Sequence, residues 1–357
     1  MRHGVFVYEI DPLWTRYGGA RGIAAEAKRM RFDHIWMRLH GRAGLTDGVM
    51  RRLEATRVLQ AEGVSVLGWG WNQGPDVARE IGLVRQALET YSTVEGYVAD
   101  LEGDGTVNRS VWTWSQVKEF FRGLRGLLGE YARASRAMAL GLSSFGWMAY
   151  HKPEVHGAAA EFCDFGAPQV YWFDHPSERM IEEARGGAHT ETQRHRGMEL
   201  VAHDPATYAG LCCEQWGAMG FKKLYVTGQA YWGESGFSQA EAEGKLRAFC
   251  ARWRPVCAAS GASPEVEGLN WWHWGGAGCA AWSEGMAGMI LEAVKRWQAG
   301  EEEELAQRRG GAEESRSIVA GALRTLKSLA ERQANQSEEL AGALAAVMAR
   351  LKEIGQD

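Results

Sequence analysis

Short apolar runs alternate with longer amphipathic stretches over about the first 300 residues of the chain. Apolar runs of this length are typical of strands that are buried on both faces of a parallel sheet. They predict strands over Gly4–Ile10, His34–His40, Ser65–Trp71, Gly96–Glu102, Met138–Phe145, Gly166–Trp172, Lys223–Trp232 and Gly268–Trp274. Helical periodicity predicts helices over Gly19–Arg31, Gly48–Glu62, Pro75–Tyr91, Trp114–Ser135, Glu154–Phe162, Pro205–Met219, Ser238–Ala259 and Ser283–Gln298.

This order of elements predicts an α/β fold. Eight strand–helix units in about 300 residues match the (β/α)8 barrel, or TIM barrel, in number and length. An open, doubly wound sheet is the alternative, but no GxGxxG motif follows the first strand to support a dinucleotide site. The weakly periodic stretch Asp174–Asp204 is interpreted as an extended loop after the sixth strand.

A heptad repeat distinguishes the end of the chain from the barrel region. We expect the barrel over residues 1–299, a charged linker over 300–317 and a coiled-coil helix over 318–357, which would make the protein a homo-oligomer or dock it on a larger assembly. The alternative is an amphipathic helix that packs against the barrel. The two apolar positions of each heptad are Val319, Leu326, Gln333, Leu340, Val347 and Ile354, and Leu323, Ala330, Ser337, Leu344 and Leu351.

Charge and hydropathy exclude several classes of protein. Lys and Arg number 40 against 45 Asp and Glu, a net charge of −5, so a nucleic-acid binder that relies on a basic surface is excluded. No segment approaches the roughly 20 apolar residues of a membrane span. The first residues, MRHGVFVYEIDPLW, lack the features of a secretory signal. We therefore expect synthesis in the cytoplasm without a signal peptide.

No metal or cofactor is expected from the sequence. The six cysteines form no CxxC pair, and the histidines show no HExxH spacing. A serine hydrolase is also disfavoured, because no GxSxG motif occurs. Gly275–Gly278 fits a phosphate-binding loop of a barrel only loosely.

Polar and aromatic residues cluster where the predicted strands end, which is the face that carries the active site of a barrel. Tryptophan is abundant, with 16 residues, and seven fall at strand ends: Trp69, Trp71, Trp147, Trp172, Trp232, Trp272 and Trp274. Flat rings beside polar groups suit stacking against a sugar. The expected substrate-binding residues are Glu9, Asp11, Arg38, Trp69, Trp71, Gln169, Tyr171, Asp174, Gln229, Tyr231, Trp272 and Trp274.

Asp100 and Glu102 end the fourth predicted strand and are the expected catalytic residues. Residues i and i+2 of a strand point to the same side, so both carboxyl groups would face the barrel mouth. Two carboxyl groups this close raise the pKa of one of them, which then serves as a proton donor. Cleavage of a glycosidic bond needs such a donor and a second carboxylate that stabilises positive charge.

The segment Glu95–Glu102, which reads EGYVADLE, resembles the strand-four signature DGxDxDxE of family 18 chitinases. Glu95 and Val98 stand where that signature has aspartates. The ending Asp-x-Glu also resembles the family 25 lysozymes, which are N-acetylmuramidases. Both resemblances imply that Glu102 is the acid/base, that Asp100 orients the acetamido group of the substrate and that Tyr171 hydrogen-bonds its carbonyl.

The function implied by these resemblances is a retaining glycoside hydrolase that cleaves an N-acetylhexosamine polymer. Departures from the chitinase signature favour peptidoglycan as the polymer over chitin. A cell-wall hydrolase without a signal peptide suits a phage lysin, released by lysis or carried on the particle. The alternative is a non-catalytic barrel that binds glycan or serves as a structural part of a phage-like particle.

Overall fold

Eight parallel strands close on themselves in the computed structural model of the protein. The structure describes residues 2–74, 76–102, 111–132, 137–147, 153–172, 204–230, 239–259, 264–275, 282, 284–299 and 338–354. Each strand pairs with the next along the chain, and β1 pairs with both β2 and β8, which closes the barrel. The strands are β1 Arg2–Val7, β2 His34–Gly41, β3 Ser65–Trp71, β4 Gly96–Asp100, β5 Ala139–Phe145, β6 Phe165–Val170, β7 Lys223–Gln229 and β8 Glu265–Trp274.

Helices follow the strands and form the outer layer of the barrel. The predicted (β/α)8 barrel is therefore confirmed, and a two-residue strand, Gly44–Leu45, pairs antiparallel with β2. These helices are α1 Ile10–Tyr17, α2 Ala20–Arg29, α3 Val49–Ala61, α4 Val77–Thr90, α5 Trp114–Tyr131, α6 Pro153–Gly157, α7 Pro205–Ala218, α8 Gln239–Ala259 and α9 284–299. A further helix near the end of the chain is α10 Glu338–Ile354.

The first strand is shorter than predicted. It ends at Val7 instead of Ile10, because Ile10 begins α1, a helix that the hydrophobic pattern does not predict. The backbone of Glu9 is extended at the helix N-cap, and Asp11 lies in the first turn. An acidic residue in the first turn stabilises a helix through the macrodipole. Glu9 and Asp11 therefore lie at the start of a helix, which corrects the prediction that they end a strand.

Aromatic side chains fill the barrel interior. The rings of Phe6 and Trp36 meet edge to face at 4.7 Å, and Trp36 stacks on Phe165 at 5.4 Å. Edge-to-face and stacked rings gain energy beyond the apolar area they bury. The buried cluster comprises Phe6, Trp36, Leu67, Trp69, Val98, Phe165, Ala167 and Tyr225.

Gly70 allows two polar rings to meet on the outer face of the sheet. The rings of His40 and Tyr97 stack at 5.9 Å, and His40 Nε2 lies 2.6 Å from the Tyr97 hydroxyl. A Cβ at Gly70 would lie 2.1 Å from the His40 ring, so a larger residue here would displace that ring. Tyr97 in turn donates to Asn72 Oδ1 at 3.0 Å, and Asn72 donates to Glu80 at 2.9 Å. This network anchors the segment after β3 next to the end of β4.

The chain divides into two compact units, Met1–Val294 and Lys295–Asp357. In the second unit α10 lies inside the predicted coiled-coil range, and Val347 on it is half exposed. The stretch 300–337 lies outside the described residues, as do residues 173–203 of the predicted loop after the sixth strand. Among the described helices, none is long and apolar enough to cross a membrane.

Candidate active site

Asp100 and Glu102 lie where β4 leaves the barrel. Asp100 is the last residue of the strand and pairs in register with Trp71 of β3 and Ser143 of β5. The Leu101 amide donates to the Ser143 carbonyl at 3.0 Å, which carries the extended backbone one residue further. Asp100 is 3% exposed, whereas Glu102 is only partly buried. The deeper carboxyl group is thus Asp100, and the more accessible one is Glu102.

A glutamine amide connects the pair to the neighbouring strands. Gln169 Nε2, on β6, donates to Asp100 Oδ1 at 2.9 Å and to Ser143 Oγ at 3.1 Å. Gln169 is itself buried, and a buried amide must find partners for its N–H groups. It therefore fixes Asp100 in one orientation at the base of the mouth.

Burial dominates the protonation of both carboxyl groups. It raises the pKa of Asp100 well above its ordinary value, and the neighbouring charge of Glu102 raises it further. The positive charge of Arg38 opposes this elevation. Burial also raises the pKa of Glu102, and the hydrogen bond from Gln169 opposes it. The site therefore favours a retained proton on the pair, which is what a general acid near neutral pH requires.

The Asp100→Asn variant should gain stability over the wild type as the pH rises. The folded-state pKa of Asp100 lies above its unfolded value, so its contribution to stability is present below about pH 4 and is lost as the pH rises through the folded-state pKa. Asparagine keeps the Oδ1 that accepts from Gln169. Urea unfolding of both proteins between pH 4 and pH 8 measures the difference. A difference that stays constant over this range would contradict a buried, proton-retaining Asp100.

Four aromatic rings surround the mouth. Trp272 of β8 lies 5.4 Å from Trp69, 5.8 Å from Tyr8 and 6.3 Å from Tyr171, measured between ring centroids. Trp69 is 1% exposed and Tyr171 is 8% exposed, while Tyr8 and Trp272 are more accessible. The accessible rings form an apolar wall of the kind on which the C–H face of a sugar packs.

A cleft continues from the mouth between β2 and the start of α1. Its volume is about 600 Å³, and its lining includes Glu9, Asp11, Arg38 and Trp71. The Arg38 guanidinium lies over the Tyr8 ring at 4.3 Å and 5.7 Å from the centre of the Trp69 ring. Four of the predicted substrate-binding residues thus meet in one cleft beside the aromatic wall.

Trp274 lies outside the mouth, which corrects its predicted position. Its ring contacts Tyr17 at 5.6 Å and Phe32 at 5.7 Å, in the helical layer. The pairing of β1 with β8 shifts between Val5 and Val7, so that β8 contains an extra residue before Trp274. An extra residue in a strand reverses the alternation of side chains, and Trp274 therefore points away from Trp272.

Of the remaining predicted substrate-binding residues, one lies at the mouth and one at the outer edge of the cleft. Gln229 ends β7, is 2% exposed and pairs in register with Trp272. Asp11 is exposed and forms an ion pair with Arg51 at 2.9 Å, so it belongs to the outer edge of the cleft. Asp174 and Tyr231 lie outside the described residues, as does Trp232.

Two further strand-end tryptophans face helices. The Trp147 ring lies 6.4 Å from the Tyr208 ring, and the Trp172 ring lies 4.7 Å from the Phe249 ring.

Three residues of the site are absent from the predicted substrate-binding residues, namely Tyr8, Ser143 and His273. Tyr8 continues the inward alternation of Phe6, so the period of two residues in β1 indicates it. Ser143 contacts Gln169, and only the register of β5 with β6 brings them together. The His273 ring lies 5.4 Å from the Tyr8 ring, and burial lowers the pKa of His273 to about 4.

In the part of the chain that the structure describes, no three His, Cys, Asp or Glu side chains form a group that could hold a metal.

Comparison with known proteins identifies the fold. No family model matches the sequence, and no curated protein is detectably similar to it. Among solved structures, the β-galactosidase of the psychrophilic Marinomonas ef1 superposes with a TM-score of 0.52 at 12% identity over 85% of this chain. The match spans 60% of the galactosidase, so this chain corresponds to only part of it.

Two chitinases also resemble the chain. A family 18 chitinase from Pseudoalteromonas aurantia matches at 13% identity and a TM-score of 0.45, covering 82% of this chain and all of the chitinase. One from Cycas revoluta, in complex with (GlcNAc)4, matches at 10% identity and a TM-score of 0.47 over the same shares. At these identities, what the galactosidase and this chain are shown to share is the barrel fold.

Proposed function

We propose that the protein is a retaining glycoside hydrolase that cleaves a polymer of N-acetylhexosamine, with peptidoglycan as its substrate. The observation that supports this is the pair Asp100 and Glu102 at the end of β4, with raised pKa values, beside an aromatic wall. A site that only binds sugar has no need for two carboxyl groups that share a buried environment.

In this proposal Glu102 protonates the leaving group. It is the more accessible carboxyl group of the pair, and burial favours its protonated form. Its proton passes to the glycosidic oxygen as the bond from that oxygen to the anomeric carbon breaks. The resulting carboxylate then takes a proton from the water that attacks the same carbon, which restores the acid.

In this proposal Asp100 holds the acetamido group of the substrate. It is fixed by Gln169 at the base of the mouth. The resemblance to family 18 and family 25 enzymes implies the next step. The acetamido oxygen attacks the anomeric carbon, while the N–H of the same acetamido group donates a hydrogen bond to Asp100. Water then displaces that oxygen, so two inversions give net retention. Tyr171, whose ring lies 6.3 Å from Trp272, would donate to the acetamido carbonyl.

Incubation of the purified protein with peptidoglycan and with chitin oligomers tests this proposal. We expect new reducing ends from peptidoglycan, and product with the anomeric configuration of the substrate in the first NMR spectra. A heat-inactivated sample is the control. The alternative function is a non-catalytic glycan-binding or structural barrel, and it would be favoured if the protein bound glycan chains without producing reducing ends.

We further propose that residues 318–357 form a coiled coil that makes the protein oligomeric or attaches it to a phage particle, from which it reaches the cell wall. The heptad repeat and the half-exposed Val347 on α10 support this. Replacing Leu344 and Leu351 with Asp in the full chain should lower the mass measured by sedimentation to that of one chain. An unchanged mass would contradict the coil as the assembling element.

A further inference from the structure

The cleft between β2 and α1 contains an arginine without an acidic partner. Arg38 lies against the rings of Tyr8 and Trp69, which fix its position. To the residues that the structure describes, its guanidinium forms no hydrogen bond and no ion pair, and its Nε atom is buried without a partner. Arginine is always charged and can only donate, and the described residues leave it without an acceptor.

A second donor in the same cleft lacks an acceptor. The Trp71 indole N–H is buried and finds no partner among the described residues. Indole nitrogen, like guanidinium, donates and cannot accept. A buried donor without a partner costs free energy, so two of them in one cleft indicate that the acceptor comes from a ligand.

The lining of the cleft contains three basic residues, Arg38, Arg42 and Arg52, and three acidic ones. Its acidic lining residues are Glu9, Asp11 and Asp47, and of these Asp11 is already paired with Arg51 outside the lining. Arg52 adds a second buried positive charge. It donates to the backbone carbonyls of Tyr8 and Asp47 and forms no ion pair in the described part of the chain. A ligand group with oxygen atoms and negative charge fits both the donors and the charge.

The cleft begins close to the catalytic pair. Trp71 is the register partner of Asp100 on the neighbouring strand, and neighbouring strands lie about 4.8 Å apart. This separation is comparable to the width of one sugar ring. A substituent on the sugar that occupies the mouth, or on the next one, therefore reaches Arg38 and Trp71.

We infer that this cleft binds a carboxylate carried by a sugar of the substrate, with Arg38 and Trp71 as the donors, an inference that rests on the proposed function. Such a carboxylate has two sources in N-acetylhexosamine polymers. It is either the lactyl group of a peptide-free muramic acid residue or the acid group of a uronic acid. Chitin has neither, so the cleft would make the protein selective for acidic glycans.

Calorimetric titration with oligosaccharides of equal length tests the inference. The probes are a peptide-free peptidoglycan tetrasaccharide, its carboxyl-reduced derivative, a hyaluronan tetrasaccharide and chitotetraose. The Glu102→Gln background prevents turnover. We expect the carboxylate forms to bind about 10- to 100-fold more tightly than the reduced form, as charged hydrogen bonds of this kind allow. The stronger of the two acidic probes identifies the source of the carboxylate.

The ratio between the Kd of the carboxyl-reduced and the acidic probe decides the role of Arg38. It should fall to near one in Arg38→Gln and keep an intermediate value in Arg38→Lys, which retains the charge but not the planar fork. Circular dichroism verifies that both variants fold. Equal binding of acidic and reduced probes by the parent protein overturns the inference and leaves the proposed function intact. If none of the four probes binds, the inference and the proposed function are both overturned.

Discussion

Replacing Glu102 with Gln should reduce the release of reducing ends by about 10²- to 10⁴-fold, the usual contribution of a general acid. Glutamine has nearly the same size and keeps a hydrogen-bonding oxygen, but it has no proton to transfer. Glu102 lies beyond the last residue of β4 and is partly accessible, so the substitution should leave the fold and the aromatic wall intact. Calorimetric binding of chitotetraose separates a loss of chemistry from a loss of binding.

The matched control for this prediction is Glu130→Gln. Glu130 lies in α5, where it is exposed and forms an ion pair with Arg85 at 2.7 Å. Surface ion pairs contribute little to stability, so this variant should cleave at the wild-type rate. If Glu102→Gln and Glu130→Gln released reducing ends equally fast, Glu102 would not be the acid, and the non-catalytic barrel would be the better description.

Acid should destabilise the protein through histidines that are buried in the neutral form. Burial lowers the pKa of His3 to about 3 and that of His34 and His40 to about 4. The His3 contacts explain its neutral form: the Trp271 indole donates to Nε2 at 2.9 Å, so that nitrogen must be unprotonated. His34 Nε2 contacts the side chain of Asn270.

The sign of the pH dependence follows from these lowered values. An unfolded histidine titrates near pH 6.5, so the stability contributed by each neutral histidine is present above pH 6.5 and is lost as the pH falls toward 4. At pH 5 the loss is about 2 kcal/mol for each histidine. Urea unfolding at pH 7.5 and pH 5 measures it. Asp100, with its raised pKa, acts in the opposite direction over the same range.

A single variant isolates one of the histidines. His40→Gln keeps a polar group near the Tyr97 hydroxyl, to which His40 Nε2 lies at 2.6 Å, but it removes the titration. The drop in unfolding free energy between pH 7.5 and pH 5 should become about 2 kcal/mol smaller in the variant, whatever the substitution costs at pH 7.5. An equal drop in both proteins would contradict a folded-state pKa of His40 that lies below its unfolded value.

Much of the fold follows from the hydrophobic pattern of the sequence, because strands buried on both faces are continuous apolar runs. Ser65–Trp71 is observed with its predicted bounds, and several other strands shift by one to three residues at an end. The short helix α1 is the exception. Its eight residues, Ile10–Tyr17, follow β1 closely. The apolar Ile10 is therefore predicted from the sequence as the end of the strand.

The site is less accessible to sequence reasoning than the fold. Alternation along one strand places Asp100 and Glu102 on the same side, and it also identifies Trp69 and Trp71. Alternation fails at Trp274, because the shift in the β1–β8 pairing is a property of two strands far apart in the chain. Contacts such as Gln169 with Asp100, which are 69 residues apart, depend on the register of three strands. No local pattern encodes that register.

The aromatic cluster around Phe6, Trp36, Phe165 and Tyr225 determines the face from which a ligand reaches the site. Within the described residues these rings fill the barrel below the mouth. A ligand of the site would therefore enter and leave on the same face of the barrel, the one at which the strands end.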